Sequence, residues 1–71
     1  MNRSSYQNRV RALRVAMGLS QEEAARRAGI STIAWRKVES GARMPRLATA
    51  QRIAKVLGAS LDELFGSNTT A

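Results

Sequence analysis

The sequence contains no cysteine and no histidine. That absence removes disulfides, thiolate chemistry, imidazole general bases and the usual zinc ligand sets together. Only five acids are present, and two or three of them already have capping or pairing roles, so no acid–base or nucleophile constellation remains. The chain is therefore read as a non-enzyme without cofactor or metal. Val, Ile, Thr and aromatic residues are too few for a sheet. No apolar run approaches the ~20 residues needed to cross a bilayer. Residues Met1 to Ser5 carry no signal-peptide core, and a cytoplasmic, nucleoid-associated protein with no membrane partner is expected.

What is present suits short helices. Seventy-one residues, 44% hydrophobic with a single Pro, give room for one domain, residues 1–71, with a small core and an ordered part spanning about 6–66. Twelve Lys or Arg against five acids give +7, distributed unevenly: residues 1–58 carry +9 and residues 59–71 carry −2. A basic face of this kind steers toward phosphates and gains from releasing their counterions. Charge alone also suits a merely soluble basic protein.

Periodicity divides the chain into five helices. At ~100° per residue, Val10, Leu13 and Met17 share a narrow arc with Arg14 at its edge, predicting a helix over 6–17 that ends at Gly18. Ser20-Gln21-Glu22-Glu23 reads as a capping box opening a second helix that stops at Gly29. Ser31 caps a third, through Val38 or Glu39, with Ser40-Gly41 as its stop. After the basic loop 42–46, Leu47, Ala50, Ile53, Ala54 and Leu57 share one face of a fourth helix ending at Gly58. Ser60-Leu61-Asp62-Glu63 is a second capping box and starts a short fifth helix. The expected fold is all-α, a compact bundle of five short helices in which the second and third form a helix-turn-helix.

The third helix carries the functional signal. On a helical wheel Ala34, Trp35 and Val38 occupy one arc, and Thr32, Ile33, Arg36 and Lys37 the opposite one. Two cations, a hydroxyl and an outward Ile are an odd choice for a solvated face but a sensible one for base edges. Arg and Lys can donate to guanine O6 and N7, Thr can serve either role, and an aliphatic group can meet a thymine methyl. A plain surface helix with one chance Ile is the competing reading.

Residues 9–65 resemble the helix-turn-helix domain of phage repressors and Cro, also called the xenobiotic-response-element type and typified by lambda repressor. The resemblance rests on Arg14, Gly18-Leu19-Ser20-Gln21-Glu22-Glu23, Ala25, Gly29, Val38-Glu39-Ser40-Gly41, Pro45, Ala54-Lys55-Val56-Leu57-Gly58 and Ser60-Leu61-Asp62-Glu63-Leu64. It implies a phosphate contact by Gln21, beside a helix N-terminus that offers free N–H groups to an anion. It places Thr32, Ile33, Arg36 and Lys37 where base and phosphate contacts fall, with Ser31 at the cap beside them. It also puts Arg43 and Arg46 in a loop that meets phosphate or the minor groove. Arg14 and Glu39 match an ion pair that ties the first helix to the end of the third, with Ala25, Gly29 and Trp35 as further structural support. Two positions depart from the pattern, Ala24 being smaller than usual and Trp35 larger, and the expectation is that the indole fills the space left at Ala24.

The leading expectation is a sequence-specific regulator of transcription, a repressor, bound to double-stranded DNA as a homodimer on two half-sites. Leu61, Leu64 and Phe65 are the candidate dimer surface, unless they close the protomer's own core. A phage repressor, an antitoxin or the controller of a restriction and modification system all fit. A protein-interaction adaptor with weak DNA specificity is the alternative. No segment of the sequence reads as an inducer-binding domain, so regulation by a ligand is not expected. An outward face of the third helix packed against the rest of the molecule would overturn the DNA reading.

Overall fold

A computed structural model describes residues 8–66 as five helices: α1 Val10–Ala16, α2 Gln21–Ala28, α3 Thr32–Ser40, α4 Leu47–Leu57 and α5 Leu61–Phe65. Among the described residues there is no strand. No helix among them is long and apolar enough to cross a membrane.

Local chemistry sets the boundaries. The Ser20 and Ser31 hydroxyls each accept from the backbone N–H three residues on, at 3.0 Å, satisfying donors that a helix start leaves free. At the end of α2, Gly29 adopts φ +74°, while its N–H and that of Ile30 donate to the carbonyls of Arg26 and Ala25. This double closure reverses the chain within three residues, so that α3 begins at Thr32. At Ser60 the box is complete, since the Glu63 carboxylate accepts from the Ser60 N–H at 2.8 Å. That bond, with the Ser60 side chain and the nearby Arg9 charge, holds the Glu63 carboxyl below its ordinary value.

The core is built from one side of each helix. Trp35, Ile53, Leu64, Val10 and Val38 are its largest fully buried side chains. The face that α2 offers is Ala24, Ala25 and Ala28, which lets α3 and α4 approach it closely. Trp35 and Ala24 are both wholly buried in this one cluster, so the indole is a core residue. The N-terminal side is tied down by two bonds from neighbouring residues: Asn8 Nδ2 donates to the Val38 carbonyl at 3.0 Å, and Arg9 N–H donates to the Leu64 carbonyl at 3.0 Å.

Several expectations are corrected. The first helix begins at Val10 rather than 6: Arg9 is its N-cap without a side-chain cap bond, and the Val10 N–H is taken by Asn8 Oδ1 at 2.9 Å in a turn ahead of the helix; residues 6 and 7 lie outside the described residues. Met17, expected on the inner arc, is 46% exposed, since the helix has ended at Ala16. Leu47 is 64% exposed in the first turn of α4: periodicity gives its side, but the packing partners do not reach that far along the helix. The box at Ser20 is half made. Glu23 turns its carboxylate to Arg26 at 2.6 Å and Arg27 at 2.9 Å instead of the Ser20 N–H, because charged donors one turn on outcompete an amide. Those hydrogen bonds, Arg26 first, lower the Glu23 carboxyl.

Candidate nucleic-acid interface

The sides of α3 separate as the wheel requires. Trp35 is wholly buried and Val38 nearly so, while Ile33 is 64% exposed and Arg36 and Lys37 are exposed beside it. Thr32, the first residue of the helix, is half-buried. An aliphatic side chain held in water between two cations gains nothing from folding, and it lies on the face that a groove about 12 Å wide could admit.

Around this face lie the remaining predicted contacts. Ser31 is engaged as the cap of α3. Arg43 and Arg46 are exposed in the loop after α3, and the Arg43 backbone N–H folds back onto the Lys37 carbonyl at 3.1 Å. That bond fixes the loop against the C-terminal end of the outward face. Ala25 and Gly29 sit behind the turn, one buried and the other supplying the left-handed residue.

The orientation of α3 is set by Glu39, whose side chain is 4% exposed. Arg14 Nε donates to Glu39 Oε2 at 2.6 Å and Arg14 Nη2 to Oε1 at 3.4 Å, while Nη1 reaches the Leu19 carbonyl at 2.7 Å. Gln21 Nε2 donates to Glu39 Oε1 at 2.5 Å and Trp35 Nε1 to Oε2 at 3.4 Å. Burial alone would push the carboxyl up. The hydrogen bonds from Arg14, Gln21 and Trp35, with the Arg14 charge, outweigh it and hold the group below its ordinary value. One carboxylate thus gathers α1, α2 and α3, and no buried side-chain polar atom among the described residues lacks a partner.

Three connections were not visible in the sequence. Gln21, expected to face phosphate, has both ends of its amide engaged: Oε1 accepts from Arg36 Nε at 3.1 Å while Nε2 holds Glu39. The Trp35 indole N–H joins the carboxylate as well as filling space. Asn8 ties the end of α3 through a bond to a carbonyl 30 residues on, for which the sequence carries no local signal. Leu64 is wholly buried in the protomer's own core and offers nothing to a partner, which corrects its place on the dimer surface; Leu61 and Phe65 are half-buried against that core.

A helix, a three-residue turn and a second helix with a solvent-facing basic side define a helix-turn-helix DNA-binding domain. Residues 10–64 match the model of the HTH_3 helix-turn-helix family, and the chain belongs to that family. Over 65 residues it is 32% identical to the transcriptional repressor RstR of the cryptic phage CTXphi in Vibrio cholerae, a match covering 92% of this chain. It spans 59% of the length of that curated relative. Its fold is similar to the crystal structure of C.AhdI, the restriction-modification controller protein of Aeromonas hydrophila, with a TM-score of 0.75 and 38% identity over 80% of this chain and 86% of that one. An HTH_3 family transcriptional regulator from Vibrio cholerae is similar at a TM-score of 0.72 and 32% identity, over 84% of this chain and 34% of that one.

Proposed function

We propose that the chain is a sequence-specific transcriptional regulator, a repressor, that binds double-stranded DNA with α3 in the major groove. The observation that carries this reading is the exposure of Ile33 between Arg36 and Lys37, opposite a fully buried Trp35. Thr32, Ile33, Arg36 and Lys37 meet base edges. Ser31, Arg43, Arg46 and the backbone start of α2 meet phosphates and set the register. So small a domain makes few base contacts, and a homodimer on half-sites ~34 Å apart supplies the rest. Leu61 and Phe65 are the candidate dimer contacts. The relatives named as a repressor, a controller protein and a regulator support this reading.

Selection from a randomised duplex library, followed by salt titration of the enriched sequence, tests it. The expected result is one enriched motif and a log K that falls linearly with log salt, by ~0.9 per phosphate neutralised. Equal binding to all duplexes at every salt concentration would favour the adaptor.

A further inference from the structure

We infer that Gln21 sets the base preference of Arg36, acting as a positioning residue through it. The inference rests on the proposal that α3 reads base edges. Gln21 bridges two groups, donating from Nε2 to Glu39 Oε1 at 2.5 Å and accepting at Oε1 from Arg36 Nε at 3.1 Å. A carboxylate accepts and a guanidinium donates, so only this orientation of the amide satisfies both ends. The flipped amide would set oxygen against oxygen at Glu39 and N–H against N–H at Arg36. Glu39 is itself clamped by Arg14 at 2.6 Å and is nearly all buried. A rigid point in the core therefore directs an exposed side chain on the reading face through one amide.

Two consequences follow for recognition. Phosphate oxygens also only accept, so the outward Oε1 of Gln21 has nothing to offer them; it serves Arg36, and only the second N–H of Nε2 is left to donate elsewhere. On Arg36, with Nε taken, the free donors are those of the two terminal nitrogens, the end-on fork that fits guanine O6 and N7. A guanidinium already held in place loses less freedom on binding than one that swings freely.

The test has two arms. In the free wild-type protein, exchange of the Arg36 Nε–H with solvent, followed by NMR, is expected to be slower than that of the exposed Arg11 and Arg52, and Gln21→Met is expected to abolish the difference. On DNA, Gln21→Met is expected to lower discrimination at the base pair read by Arg36 by about 5- to 10-fold, within the range of one lost bidentate contact. The salt slope should not change, and Gln21→Met should add nothing in an Arg36→Ala background. Equal exchange rates at the three arginines in the wild type would overturn the inference without the variant having to fold. Uniform weakening on every duplex would also overturn it, making Gln21 a phosphate ligand, as would an undiminished effect in the Arg36→Ala background. A wild type that selects no sequence would overturn the base-reading proposal and this inference with it, while the exchange arm separately reports whether the bridge exists.

Discussion

Replacing Arg14 with Met should cost this protein a large part of its stability, and the cost should depend on pH in a particular direction. The substitution keeps the aliphatic volume but removes two hydrogen bonds to Glu39, one to the Leu19 carbonyl and the cation that, among the described residues, pairs with that carboxylate. Breaking one partner from a buried pair costs about 3–5 kcal/mol. Gln21 and Trp35 still donate to Glu39, which places the expectation at the lower end, ~3 kcal/mol. A 71-residue domain has about 4–10 kcal/mol in total, at ~0.05–0.15 kcal/mol per residue. The melting temperature should fall by about 12–24 °C, at ~4–8 °C per kcal/mol. In the wild type the Glu39 carboxyl is held below its ordinary value. Its contribution is then complete above the unfolded carboxylate value of about 4.3 and is lost as pH falls through the lower folded value. In Arg14→Met the hydrogen bonds and charge of Arg14 are gone while burial stays, so the folded carboxyl rises relative to the wild type. The stabilisation that ionised Glu39 gives the wild type at neutral pH is then reduced in the variant, while at a pH where the carboxyl is protonated in both proteins the difference disappears. The gap between wild type and variant should therefore be widest at neutral pH and shrink toward pH ~4, while Glu23 and Glu63 cancel in the difference. Urea unfolding followed by the fluorescence of Trp35, the sole tryptophan, measures both curves. A cost below ~1 kcal/mol, as for an exposed pair, or a gap that does not change with pH would refute the reasoning.

Three further outcomes are expected. Lys37→Ala should relax preference at a single base pair, with a loss of ~1–3 kcal/mol on the selected duplex, measured by competition against single-pair variants. Arg43→Ala should weaken all duplexes alike and reduce the salt slope by about one, read by titration of the selected and a scrambled duplex. Gly29→Ala should cost ~1–2 kcal/mol in thermal unfolding, because φ +74° is strained for any residue with a Cβ. The nearest atom that Cβ would meet, Arg52 Nη1, is at an ordinary 3.9 Å, so crowding adds nothing.

The helices were legible because their determinants are local. Ser20, Ser31 and Ser60 sit within one turn of the donors they satisfy, and Gly29, Gly41 and Gly58 close helices by their own backbone conformation. The outward side of α3 was legible for the same reason, since one helix's periodicity places Ile33 opposite Trp35. Extent along a helix was not: Met17 and Leu47 lie on the inner side yet beyond the reach of their neighbours, a property of other elements. The choice made by Glu23 between a backbone amide and two arginines turns on relative donor strength, which a capping pattern leaves out. The bridge from Glu39 through Gln21 to Arg36 joins residues 18 and 15 positions apart, a closure that only the tertiary fold creates.

The Arg14–Glu39 pair also bears on why so small a core keeps two charges. Apolar packing of Trp35 and Val38 decides which side of α3 turns inward, but dispersion contacts are non-directional and tolerate small rotations of a helix about its axis. A base-reading side chain does not tolerate them, because productive geometry is lost within ~10–20°. Hydrogen bonds to a fixed carboxylate are directional, and this one receives donors from α1, α2 and α3 itself. Replacing the pair by well-packed apolar residues could leave stability unchanged or raise it. It would also remove the anchor that holds Gln21, the side chain bonded to Arg36, so on the proposed function the charges are better explained by the aim of α3 than by the stability of the fold.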